Sequence, residues 1–108
     1  MVEIKSENQA GVCQVHIVGD MTIYEADKLK EGLLSKLDDC QEMEINLSDV
    51  SEVDTAGVQV LMLAKQEAQR SAKALRLVSH SEAAMTVLDT FCLTRFFGDP
   101  IVLEAKAT

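Results

Sequence analysis

A chain of 108 residues holds one domain with one core, too little for a substrate domain beside a cofactor domain. Hydrophobic residues make up 47% of it, which excludes intrinsic disorder, and a formal net charge of −8 sets it against phosphate backbones and anionic lipid. Nucleic acid and membrane surfaces are excluded as expected partners, while a basic protein partner is not.

No run approaches the roughly eighteen apolar residues of a membrane span, and Met1-Val2-Glu3-Ile4-Lys5 lacks the apolar region of a signal peptide. A cytoplasmic protein without membrane insertion is expected. Cys13, Cys40 and Cys92 are odd in number, widely spaced and without a CxxC pair, so they form no disulfide framework.

Val2 and Ile4 alternate with Glu3 and Lys5, and Asn8-Gln9-Ala10-Gly11 marks a turn. In the next run Cys13, Val15 and Ile17 share an apolar face while Gln14 and His16 point away. That is the period of a half-buried strand, and the two runs are predicted to form a hairpin. Gly19-Asp20-Met21-Thr22 then opens a helix with Ala26, Leu29, Leu33 and Leu37 on one face, ending near Asp38. Thr22 and Glu25 have capping-box spacing, and Gly32 costs this helix about 1 kcal/mol relative to alanine.

Met43, Ile45 and Leu47 alternate with Glu44 and Asn46 in a third strand, followed by a polar loop. A second helix is predicted from near Gly57 to about Ser71, with Leu61, Ala64 and Ala68 in its core stripe and Val60 and Leu63 widening it. Leu75 to Val78 forms a short fourth strand. Ser79 and Glu82 repeat the capping-box spacing before a third helix with Ala84, Val87, Leu88 and Phe91 on one face. The tail after Gly98, with Ile101-Val102-Leu103, fits either an edge strand or a short helix.

The order is ββαβαβα plus a tail, read as a single domain over residues 1–108. Strands covered on both faces would read as continuous apolar runs, whereas these keep one face polar. The expected fold class is α/β, α+β-like in having two layers: a mixed four- to five-stranded sheet with helices mainly on one face.

The stretch from Ile45 to Val58 carries most information. A strand and a polar loop lead to Asp54-Thr55-Ala56-Gly57, where a helix begins. Helix starts present free N–H donors and a partial positive charge, so an aspartate or threonine there is first of all an N-cap. A hydroxyl at this point can also accept a phosphoryl group without melting the helix it caps. The change would be one of surface charge, about −1.5 to −2.

Asn46-Leu47-Ser48 followed by Asp54-Thr55-Ala56-Gly57-Val58 resembles the signature of STAS domains, in particular bacterial anti-sigma factor antagonists. Gly19-Asp20 after the second strand, and Ser81 to Leu93 at the last helix, agree with it. The resemblance spans Val2 to about Phe97. It implies a STAS fold and a protein-binding switch, not an enzyme and without cofactors. Thr55, directly after the aspartate, matches the position phosphorylated by a partner kinase with a histidine-kinase-like ATP-binding fold. Unphosphorylated, such a protein binds that anti-sigma factor; phosphorylation breaks the contact and a serine/threonine phosphatase resets it. The implied partner surface is Thr22, Ile23, Asp54, Thr55, Ala56, Gly57 and Val58.

Two positions depart from the sporulation-type pattern: Thr22 stands where an acidic residue is usual, and Ala56 replaces a second hydroxyl. STAS proteins also serve chemotaxis-linked complexes and lipid-transport ATPase assemblies, so an alternative is a subunit in which Thr55 is never phosphorylated. Other chemistry lacks a handle. Cys13 and His16 are three apart on a strand and face opposite sides, which excludes a shared metal. Cys92 sits between the apolar Phe91 and Leu93, and the sequence contains no GxGxxG, Walker A or GxSxG.

Overall fold

The computed structural model describes residues 2–90. The predicted features at Phe91, Cys92 and the tail after Gly98 lie outside them.

Strand β1 (Val2–Gln9) and strand β2 (Val12–Met21) pair antiparallel from Val2↔Gly19 to Gln9↔Val12. Ala10 and Gly11 join them with φ of 53° and 83°. Positive φ at both central residues is the type I′ requirement, which matches the right-handed twist of the strands. Glycine meets it at no cost; Ala10 does not.

Helix α1 (Ala26–Asp38) crosses from β2 to strand β3 (Glu42–Val53), which pairs parallel with β2. Helix α2 (Thr55–Arg70) crosses to strand β4 (Ala74–His80), parallel to β3, and helix α3 (Glu82–Thr90) follows. The sheet is therefore mixed, in the order β1-β2-β3-β4. Cys13, Val15 and Ile17 of β2, Met43, Ile45 and Leu47 of β3, and Leu75 and Leu77 of β4 are buried. They join one core with Leu29, Leu33 and Leu37 of α1, Leu61, Ala64 and Ala68 of α2, and Ala84 and Leu88 of α3.

The opposite sheet face is polar. Arg76 reaches Glu42 at 2.9 Å and Glu44 at 2.6 Å across β3 and β4, and His16 Nε2 lies 2.7 Å from Asp49 Oδ2. Both carboxylate partners hold the Arg76 guanidinium in its charged form, raising its pKa further. The predicted separation of faces thus accounts for the strand patterning, and Cys13 and His16 do sit on opposite sides.

Four local expectations are corrected. The predicted polar loop after Leu47 is strand: β3 continues to Val53, shifting register against β2 between His16 and Val18 and again between Gly19 and Asp20. Asn46 Oδ1 accepts from Ser48 N at 2.8 Å and from Ser48 Oγ at 2.6 Å at the first irregularity. An extra residue there breaks the two-residue period, so the strand reads as a loop. The Thr22–Glu25 capping box is not formed, because α1 starts at Ala26 and Glu25 makes no side-chain cap bond. Ser81, not Ser79, caps α3, its Oγ accepting from Ala84 N at 3.1 Å. Leu63 does not widen the α2 core stripe: it is 37% exposed.

Candidate functional site

At the carboxyl end of β2 and β3 the chain twice returns to one residue, Asp54. Its extended backbone, φ −112° and ψ −175°, makes it the N-cap of α2, and its Oδ1 accepts from Gly57 N at 3.1 Å. Its Oδ2 accepts from Ile23 N at 3.0 Å, and its own N–H donates to Met21 O at 3.1 Å. One carboxylate therefore fixes both the helix start and the turn that follows β2. Burial raises the Asp54 pKa, but the amides of Ile23, Gly57, Ala56 and Asp54 itself outweigh burial and bring it below the ordinary value.

The tether to Asp54 explains the missing capping box. With the Ile23 N–H committed to Asp54, residues 22–25 form a turn closed by Glu25 N on Thr22 O at 2.9 Å. Ile23 and Tyr24 are pushed outward, 66% and 92% exposed. Thr55, the first residue of α2, is exposed beside them, and Thr22, Asp54 and Ala56 are half-buried.

Gly57 and Val58, also expected on this surface, are buried. A β-carbon on Gly57 would lie 2.1 Å from Met21 O, so the glycine admits the passage of α2 over β2. Tyr24 is the residue that sequence reasoning omitted. Its available signal was an aromatic ring in a polar turn, within a chain only 4% aromatic.

A groove of about 700 Å³ runs from this turn to α3, lined by Asp20, Thr22, Tyr24, Ser51, Glu52, Val53, Asp54, Glu82, Ala83, Thr86 and Val87. Four carboxylates and no basic side chain line it. Among the described residues no group of three His, Cys, Asp or Glu side chains is arranged to hold a metal ion, and no helix is long and apolar enough to cross a membrane. The arrangement presents a surface with an exposed threonine, the side chains of Ile23 and Tyr24, and an acidic flank.

The family model described as "Mlab, STAS domain" matches residues 4–103. The chain belongs to the STAS domain family. Solved structures agree on the fold. An anti-sigma factor antagonist from Mycobacterium paratuberculosis superposes with a TM-score of 0.83 at 18% identity, covering 99% of this chain and 92% of that one. The Bacillus cell fate determinant SpoIIAA in its phosphorylated form gives 0.71 at 14% identity, with 97% and 96% covered. A sulfate transporter family protein from Wolinella succinogenes gives 0.71 at 20% identity, with 92% and 84% covered. A search of curated proteins gives no significant match. The expected STAS fold is thus the observed one, and this STAS domain resembles anti-sigma factor antagonists at low identity.

Proposed function

We propose that this STAS domain is a phosphorylation-regulated binding switch of the anti-sigma factor antagonist type, with Thr55 as phosphoacceptor. It binds an anti-sigma factor or related serine/threonine kinase when Thr55 is unphosphorylated and releases it when Thr55 is phosphorylated. The observation that supports this reading is the double tether of Asp54, which joins the start of α2, where Thr55 is exposed, to the exposed Ile23–Tyr24 turn. The helix start tolerates an added anion, so a phosphoryl group leaves the fold in place. Any partner docked on Ile23 and Tyr24 must then desolvate that charge beside an already acidic groove. A loss of a few kcal/mol, about a hundredfold in affinity, follows.

Binding titrations test this with Thr55→Ala and Thr55→Asp against the kinase or anti-sigma factor encoded nearest to the gene. Thr55→Ala should bind as the unphosphorylated protein does and Thr55→Asp should bind far more weakly; equal affinities would remove the switch.

A second reading, a STAS subunit of a larger assembly without phosphorylation at Thr55, is favoured by the "Mlab" description of the matching family model. It uses the same surface. Phosphopeptide mapping of the protein from growing cells separates the two, since only the switch requires phosphothreonine at Thr55.

A further inference from the structure

Cys13 and Cys40 lie far from the candidate site, at the other end of β2 and β3. Both belong to the core, at 4% and 3% exposure. Gly11 O accepts from Gln41 N at 2.8 Å and Glu42 N at 3.2 Å, which binds the start of β2 to the α1–β3 junction. The chain leaves α1 in a tight turn, with Cys40 N on Leu37 O at 3.3 Å. That turn folds the Cys40 side chain inward, where its thiol donates to the same Leu37 oxygen at 3.7 Å. Lys73 Nζ donates to this oxygen too, at 2.7 Å. Cys13 lies beside it: β2 pairs Val12 with Glu42 and Cys13 with Met43, and Cys13 is close enough to act on the Cys40 thiol. One thiol and an ammonium therefore share one carbonyl, with the second thiol beside them.

We propose that Cys13 and Cys40 form a reversible dithiol–disulfide site, oxidised by a small hydroperoxide and reset by a low-molecular-weight thiol. The Cys40 thiolate, stabilised by the Lys73 ammonium, attacks the distal peroxide oxygen. The O–O bond breaks, the leaving oxygen takes a proton, and Cys40 becomes a sulfenic acid. Cys13 attacks that sulfur, the S–S bond forms, and the departing hydroxide takes the Cys13 proton as water. Two thiols and one hydroperoxide thus give one disulfide, one water and one alcohol, or a second water from hydrogen peroxide.

Burial and the neighbouring Cys13 raise the Cys40 pKa, and Lys73 offsets them only in part. The site therefore reacts slowly and answers sustained oxidant, not a brief pulse. The bond would close a loop containing β2, the Ile23–Tyr24 turn and α1. Cross-linking such a loop restricts the unfolded chain and should raise Tm by about 10 °C.

The test treats folded protein carrying Cys92→Ser, which removes the third thiol, with hydrogen peroxide, followed by intact mass and non-reducing peptide mapping. The expected result is loss of two hydrogens, a Cys13–Cys40 linked peptide, the rise in Tm, and reversal by dithiothreitol. Cys13→Ser and Cys40→Ser in that background should each abolish the link. Retention of both thiols, a link formed only in denaturant, or an intermolecular disulfide would overturn the proposal. The wild-type protein mapped in parallel guards against an effect of Cys92→Ser on folding, and there a link from Cys13 or Cys40 to Cys92 counts against the pair.

Discussion

The backbone of Gly57 passes directly under the carbonyl of Met21, so closely that a β-carbon built on the glycine would sit 2.1 Å from that oxygen. The same oxygen accepts from Asp54 N at 3.1 Å. The close approach lets β2 hold the end of β3 and the first turn of α2 together. Both neighbours of the would-be β-carbon are well fixed: Met21 is fully buried, and its carbonyl belongs to the backbone, so neither can swing aside.

Replacing Gly57 should therefore disturb the fold before it disturbs any contact with a partner. Gly57→Ala is expected to cost about 3 kcal/mol, at the upper end of overpacking penalties, despite the better helix propensity of alanine. Gly57→Val should cost more. Urea unfolding checks this through the midpoint. An unchanged midpoint in Gly57→Ala would mean that α2 can slide off Met21 freely, and the account of the helix start would fail.

Asp54 carries the second prediction. Asp54→Asn keeps an N-cap of similar preference but loses the charge, while Asp54→Ala loses both the cap and the tether to Ile23. Asp54→Ala should destabilise by about 1 to 2 kcal/mol. The pH dependence follows from the lowered folded-state pKa. Such a group contributes stability that is fully present above its unfolded pKa, about 3.9, and is lost as pH falls through the lower folded value. The difference in stability between wild type and Asp54→Asn should therefore be constant near neutrality and shrink below about pH 4. Thermal unfolding from pH 7 to pH 2.5 measures it; a difference that does not shrink would mean the carboxylate is not selectively stabilised by these amides.

Ala10 predicts a change of the opposite sign. It occupies the left-handed region at φ 53° in the turn between β1 and β2, where an L-residue without a polar side chain is strained. Ala10→Asn creates the Asn-Gly pair that type I′ turns favour, and Ala10→Gly removes the β-carbon. Both should stabilise, by about 0.5 to 1 kcal/mol, with the gain from glycine reduced by its greater freedom when unfolded. A drop in the unfolding midpoint for both variants would show that the turn is not held in this conformation.

How legible the molecule was depends on whether a feature is local. The alternation of Cys13, Val15 and Ile17, and of Met43, Ile45 and Leu47, reports burial of one sheet face directly, and the order of strands and helices followed from it. The start of α2 was legible within two residues, because Asp54 caps through its own side chain. Features set by tertiary contact were not legible. The register shifts in β3 put Leu47 and Val50, three apart, both in the core, and no two-residue period survives that. Thr22 and Glu25 offered a capping box, but the partner claiming the intervening Ile23 amide is Asp54, thirty-one residues away. The need for glycine at position 57 likewise lies in β2, and sequence spacing carries no trace of it. Within the candidate site the same division holds: Asp54 and Thr55 were read as a helix start from local chemistry, with the role of Thr55 implied by the family resemblance, whereas the burial of Val58 and the exposure of Tyr24 depend on how α2 and the turn pack.

Tyr24 carries the final prediction, which rests on the proposed switch. At 92% exposure its ring contributes little to folding, so Tyr24→Ala should leave stability within about 0.5 kcal/mol of wild type. An aromatic side chain at the centre of an interface is a different matter. Buried against a partner, such a ring commonly accounts for about 2 kcal/mol, roughly thirtyfold in affinity. Asp54 holds the Ile23 amide and so fixes the backbone beneath the ring before the partner arrives. Less ordering is then required on binding, and the loss on truncation should appear in the dissociation rate. The measurement is a kinetic binding titration in a Thr55→Ala background, which keeps every molecule in the unphosphorylated state. Tyr24→Ala should speed dissociation about thirtyfold with association nearly unchanged, whereas Leu63→Ala, on the outward side of α2, should change neither rate. Equal dissociation rates for Tyr24→Ala and Leu63→Ala would place the partner elsewhere on the domain.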